Sequence, residues 1–167
     1  MAFWTTKQRK KEEAIVKPWT SVRVPAVARF EAAKAFSPEN GRVRIAFVGG
    51  DFLELFQNRI EVNLPASSLS VHLVEHPERG NATSILAELG ERSRIPLAHF
   101  YEMLVQQPTC EQPGLLVTNG WANVCFVEGG DGIVVQACGD EGGWIVGSAP
   151  LEHPTALGAG QCRVISR

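Results

Sequence analysis

With 167 residues, 44% hydrophobic and 20% charged, the chain has enough apolar material for one ordinary core without metal or disulfide staples. No apolar run approaches the roughly 20 residues that a membrane span needs, and the N-terminus lacks the apolar segment of a secretory signal. The net charge of −2 conceals a basic start.

Residues 1–30 carry seven Lys or Arg against two Glu, and all five lysines lie at or before Lys34. A basic arm over 1–18 on a body over 19–167 is therefore expected. Its composition buries too little apolar area to offset the entropy of ordering it. Lys7, Arg9, Lys10 and Lys11 are the residues that would meet nucleic acid or an acidic partner.

Pro25 followed by the alanine-rich stretch 26–36 predicts a helix over 25–36, ending before Ser37, Pro38, Asn40 and Gly41. The period then changes to two. Val43, Ile45 and Phe47, then Ile60, Val62 and Leu64, then Leu69, Val71 and Leu73 predict strands with one wet face. Val48, Gly49, Gly50 and Asp51 lack the continuation of a phosphate-binding loop and read as a tight turn with left-handed glycines.

Residues 81–107 predict two helices broken at Gly90. In the second, Leu97, Phe100, Tyr101, Leu104 and Val105 form a continuous apolar stripe. A DNA-reading helix–turn–helix is disfavoured, because 96–107 holds Glu102 and no Lys or Arg. The pair reads better as a helical hairpin covering a core.

Residues 115–148 predict a meander of hairpins. Apolar runs 121–127, 133–138 and 144–148 are separated by glycine-rich turns at 128–132 and 139–143. Facing Val127 with Ile133 and Cys138 with Trp144 puts Ala122, Val124, Phe126, Val134, Gln136, Cys138, Trp144 and Val146 on one face. Trp121, Asn123, Cys125, Val127, Ile133, Val135, Ala137 and Ile145 take the other. Both faces are apolar, so this sheet is expected to be covered on both sides, even if the register slips by one. A last short strand is expected over 162–166.

These elements give an α+β fold: an antiparallel sheet, sandwich or barrel-like, with the helices near 25–36 and 82–107 packed on one side. The second face would be covered by the strands of 43–75 or by another copy of the chain.

No chemical motif dominates. Cys110, Cys125, Cys138 and Cys162 have no CxxC pair and read as reduced thiols, most of them in strands. Cys110 could act as a nucleophile only beside His99 or His153. His72 and His76 flank Glu75, but Pro77 breaks the helical spacing that would converge them. If a pocket lies between the meander and helix 96–107, its buried polar groups would be Tyr101, Asn123 and Gln136. The turn at 128–132 and the loop at 149–161 share one end of the meander, where Glu128, Asp131, Glu152 and His153 could hold a divalent cation or meet a basic partner.

The reading that follows is a cytoplasmic, non-enzymatic interaction or assembly module without cofactor, acting on a protein partner or on itself. The alternatives are a small-molecule-binding or hydrolytic domain using that pocket, and a nucleic-acid-associated protein using the arm.

Overall fold

The computed structural model describes residues 13–77, 80–112, 114–153 and 162–167. Ten strands, β1 (Val16–Val24), β2 (Val27–Glu31), β3 (Ile45–Val48), β4 (Ile60–Leu64), β5 (Ser67–Val74), β6 (Arg94–Ile95), β7 (Ala122–Val127), β8 (Ile133–Asp140), β9 (Gly143–Pro150) and β10 (Arg163–Ser166), alternate with four helices. The helices are α1 (Ala32–Ala35), α2 (Gly50–Phe56), α3 (Ala82–Leu89) and α4 (Leu97–Gln106). The fold is α+β. Its main sheet has eight strands in the order β1-β5-β10-β7-β8-β9-β3, with β6 attached to β7, and a separate ribbon joins β2 to β4.

Three features of that sheet differ from expectation. It is mixed, since β10 and β6 run parallel to β7 and β3 runs parallel to β9. Its path is open and does not close into a barrel. The strands of 43–75 form no covering layer: β3 and β5 join the main sheet, and β4 joins the ribbon.

The meander itself is present. Its first hairpin, Ala122↔Cys138 through Cys125↔Val135, has the predicted register. The second is displaced by one residue, pairing Cys138 with Ile145 and Gly139 with Trp144. The cause is local: the Asp140 carboxylate accepts hydrogen bonds from Gly142 N at 2.7 Å and Gly143 N at 3.1 Å, so the strand runs on through Gly139 and Asp140. The turn is shorter than its glycines suggest. Trp144 and Val146 consequently move to the face of Asn123, Cys125, Val127, Val135 and Ala137. Trp121 shares that side by strand alternation and is only half-buried, just before β7.

Both faces of the meander are covered within the chain, but by helices on opposite sides. Ala82, Ile85 and Leu89 of α3 pack with Val124, Phe126, Val134 and Val164. Leu97, Phe100, Met103 and Leu104 of α4 pack with Cys125, Val127, Val135, Trp144 and Ile165. The two helices are therefore not a hairpin on one side, because β6 carries the chain across the end of β7 between them.

Helix α4 begins on a half-buried acid. Glu61 of β4 accepts Leu97 N at 3.1 Å and Ala98 N at 2.8 Å, while Arg59 Nε donates to it at 2.8 Å. A carboxylate at a helix N-terminus satisfies otherwise orphaned amides and meets the positive end of the dipole. This contact seats the β2–β4 ribbon on α4.

The predicted helix over 25–36 is mostly strand. Residues 27–31 pair with β4, and only Ala32–Ala35 are helical. Alanine propensity is worth a few tenths of a kcal/mol per residue, whereas the ladder and the burial of Phe30 against Phe36 and Tyr101 contribute more. Gly49 and Gly50 likewise form the start of α2, not a left-handed turn, with Gly49 at φ −66°. At the N-terminal end, Val16 and Lys17 pair with Val74 and Leu73, so the sheet begins inside the segment expected as an arm.

Candidate functional site

The acidic end of the meander is neutralised by arginines. Leu151 N bonds Gly132 O at 2.9 Å, so the two loops do share one end of the sheet. Glu128 pairs with Arg167 at 3.0 Å, Asp131 with Arg94 at 3.3 Å, and the Arg59 guanidinium donates to the Glu128 carbonyl. Glu152 is exposed, and His153 N bonds Pro150 O at 3.0 Å. Among the described residues, no three His, Cys, Asp or Glu side chains are grouped to hold a metal.

Tyr101, Asn123 and Gln136 do not share a pocket. Asn123 is fully buried; its amide accepts Val117 N at 2.8 Å and donates to Val117 O at 2.9 Å and Ala137 O at 3.1 Å. It pins the connection before β7 onto β8. Gln136 pairs with Val124 and therefore faces the α3 side of the sheet. Lys7, Arg9, Lys10 and Lys11 lie outside the described residues.

Tyr101 does line a cleft, although not one against the meander. A cavity of about 470 Å³ is bounded by residues 25–31, Lys34 and Ala35 of α1, Asn40, Arg42, and Tyr101 and Glu102 of α4. Asn40 Nδ2 donates to Tyr101 Oη at 2.7 Å and to Ala35 O at 3.0 Å. Phe30 and Phe36 hold the ring from two sides. Burial pushes the Tyr101 phenol above its ordinary value, which keeps it a neutral donor. Arg29 and Lys34 both pair with Glu31, and Arg42 pairs with Glu102 at 3.6 Å. Of this group only Tyr101 was anticipated. The signal for the others was the alternation of Arg29 and Glu31, hidden by the helical reading of that stretch.

A second cleft of about 550 Å³ lies at the other end of the meander, lined by Arg44, Cys110, Glu111, Asn119, Asp140 and Glu141 among others. The Cys110 thiol packs against Gly139, where an added Cβ would come within 2.9 Å of its sulfur. Burial raises the thiol pKa, and no histidine lines the cleft. His99 is instead buried with its Nε2 3.1 Å from Pro65 O. The geometry does not make Cys110 a nucleophile. All four cysteines are free, and burial also pushes the Cys125 and Cys138 thiols up.

His72 and Ser166 form a close Ser–His pair, at 2.9 Å. Both are buried, at 5% and 1% exposure, so substrate cannot reach them. Ser166 Oγ donates to Arg167 O at 3.1 Å, which leaves His72 Nε2–H to donate to Ser166; buried Nδ1 has no partner, so a proton placed there would find no acceptor. Burial, then the nearby Arg92, hold His72 below the ordinary 6.5, with Glu88 opposing. The unfolded chain therefore takes up a proton that the folded chain resists, and stability falls as pH drops below about 6.5, at a slope of at most about 1.4 kcal/mol per pH unit. Chemical denaturation at pH 7.5 and 5.5 should show that loss shrink in His72→Gln.

The remaining feature is apolar. Phe47, Leu53, Leu55, Ile60 and Val62 are between 38% and 60% exposed, and they are five of the six large exposed hydrophobics among the described residues. All five fall on β3, α2 and β4, which follow one another in the chain. The sixth, Trp19, lies under the Arg163 guanidinium at 4.9 Å. No helix of the described residues is long and apolar enough to cross a membrane. No protein-family model matches this sequence, and comparison with curated proteins and with solved structures likewise gives no match.

Proposed function

We propose that the chain is an interaction or assembly module that works through a contact surface and not through a reaction, with β3, α2 and β4 as that surface. The observation that carries the reading is the confinement of exposed Phe47, Leu53, Leu55, Ile60 and Val62 to this one stretch. Exposed apolar side chains concentrated in one region mark contact sites, whereas scattered single ones do not. Two structural features add support. β3 is a short edge strand carrying exposed Phe47, and the β2–β4 ribbon leaves Ile60 and Val62 in solvent although a lone two-stranded ribbon has little stability of its own.

The partner is a protein, in the simplest case a second copy of this chain. Sedimentation velocity from low to high micromolar concentration should show association by the wild type. The double variant Leu55→Glu, Ile60→Glu should sediment as a monomer with unchanged thermal stability, because both side chains are already solvated. A wild type that stays monomeric throughout, or a variant that associates equally well, removes the reading.

A further inference from the structure

The Tyr101 cleft has a property that a small-molecule pocket does not need. Seven consecutive residues, 25–31, form one wall, and no residue of β4 contributes to the lining. The cleft therefore runs along the edge of β2 that faces away from β4.

The ladder parity identifies the backbone groups on that edge. Ala32 N bonds Arg59 O at 3.0 Å, and the pairs continue as Phe30↔Glu61, Arg29↔Val62 and Val27↔Leu64. Hydrogen-bonded and non-bonded pairs alternate along an antiparallel ribbon. With Ala32 and Phe30 bonded to β4, the N–H and C=O of Arg29 and Val27 point into the cleft. Among the described residues they have no ladder partner.

The side chains add a sign. The cations reach outward, with Arg29, Lys34 and Arg42 at 58%, 76% and 55% side-chain exposure, while Glu31 and Glu102 are recessed at 27% and 12%. Below them, buried Phe30, Ala35 and Tyr101 make an apolar floor with the Tyr101 hydroxyl set in it. A volume of about 470 Å³ is within the ordinary range of about 300–1,000 Å³ for binding clefts.

We propose that this groove takes an extended acidic peptide segment of another protein, added as a strand to the free edge of β2. The peptide backbone pairs with Val27 and Arg29, in the manner of strand addition to an open sheet edge. Side chains of an extended peptide alternate between two directions, so one set lies on the Phe30 and Tyr101 floor while the acids of the other set meet Arg29, Lys34 and Arg42. Charge complementarity selects an acidic segment over a basic one. This site shares no residue with the apolar surface on β3, α2 and β4, and neither reading depends on the other.

The test uses the full chain and three fluorescent peptides: acetyl-Glu-Val-Glu-Val-Glu-Val-amide, its Lys-for-Glu counterpart, and the acidic peptide with alternate backbone nitrogens methylated. The acidic peptide should bind saturably by anisotropy and weaken as salt rises. Its amide-resolved shifts should centre on Val27, Arg29, Lys34, Arg42 and Tyr101. Arg29→Gln with Arg42→Gln should weaken it about tenfold, and methylation should weaken it at least as much on the unaltered protein. The proposal is overturned if the lysine peptide binds equally, if methylation has no effect, if the shifts map elsewhere, or if the groove is filled only by a second copy of the chain that the acidic peptide cannot displace.

Discussion

Replacing Trp144 by alanine is expected to cost about 3–5 kcal/mol in chemical denaturation, the range for deleting a large buried aromatic. Trp144 is fully buried between β3 and β8, opposite Ile45 on one side and Gly139 on the other. Its Nε1–H donates to Gln107 O at 2.9 Å, so the ring also holds the end of α4. Trp144→Phe keeps most of the apolar volume and loses that hydrogen bond, and should cost about 1–2 kcal/mol. If alanine proved near-neutral, the ring would not be packed as the structure has it.

Asn123→Ala should be nearly as damaging, at about 3 kcal/mol, because it removes a fully buried amide and strips partners from half-buried Val117 N and O and from buried Ala137 O. Asn123→Asp should be no better: a carboxylate still accepts from Val117 N but repels the two carbonyls that the amide served. Amide exchange at Leu116 and Val117 should accelerate in both variants. Normal stability with a selective loss of ligand binding would instead restore Asn123 as a binding residue.

The sequence carried element type better than partnership. The strands expected near 43–47, 60–64 and 69–73 and the stripe on α4 appear in the structure, since each reports the geometry of its own segment, but Phe47, Ile60 and Val62, expected on a dry face, are exposed, and Glu61 is tucked in instead. What a strand pairs with is not a local property. Nothing within 162–166 shows that this strand enters between β5 and β7, or that it runs parallel to β7. The second hairpin slipped because five turn-forming residues allow more than one turn, and the Asp140 carboxylate decides among them. The candidate ligand residues fared by the same rule. That Asn123 and Gln136 lie on opposite faces already follows from strand alternation in the sequence, and the structure keeps them there. Tyr101, a hydroxyl on an apolar stripe, has its partner in Asn40 and lines a cleft away from the meander, which the sequence did not indicate.

The position of β10 also bears on the order of folding. Val164 pairs with His72 and with Val124, partners about ninety and forty residues earlier, and such distant pairings slow the search for the native topology. Along the strand order, β10 is the sole link between a wing made of β1 and β5 and a wing made of β7, β8, β9 and β3. Apart from β6 at the end of β7, the two wings are joined in the sheet only through the four residues of β10. This short strand works as a keystone. Displacing β10 would leave β5 and most of β7 with unpaired inner edges.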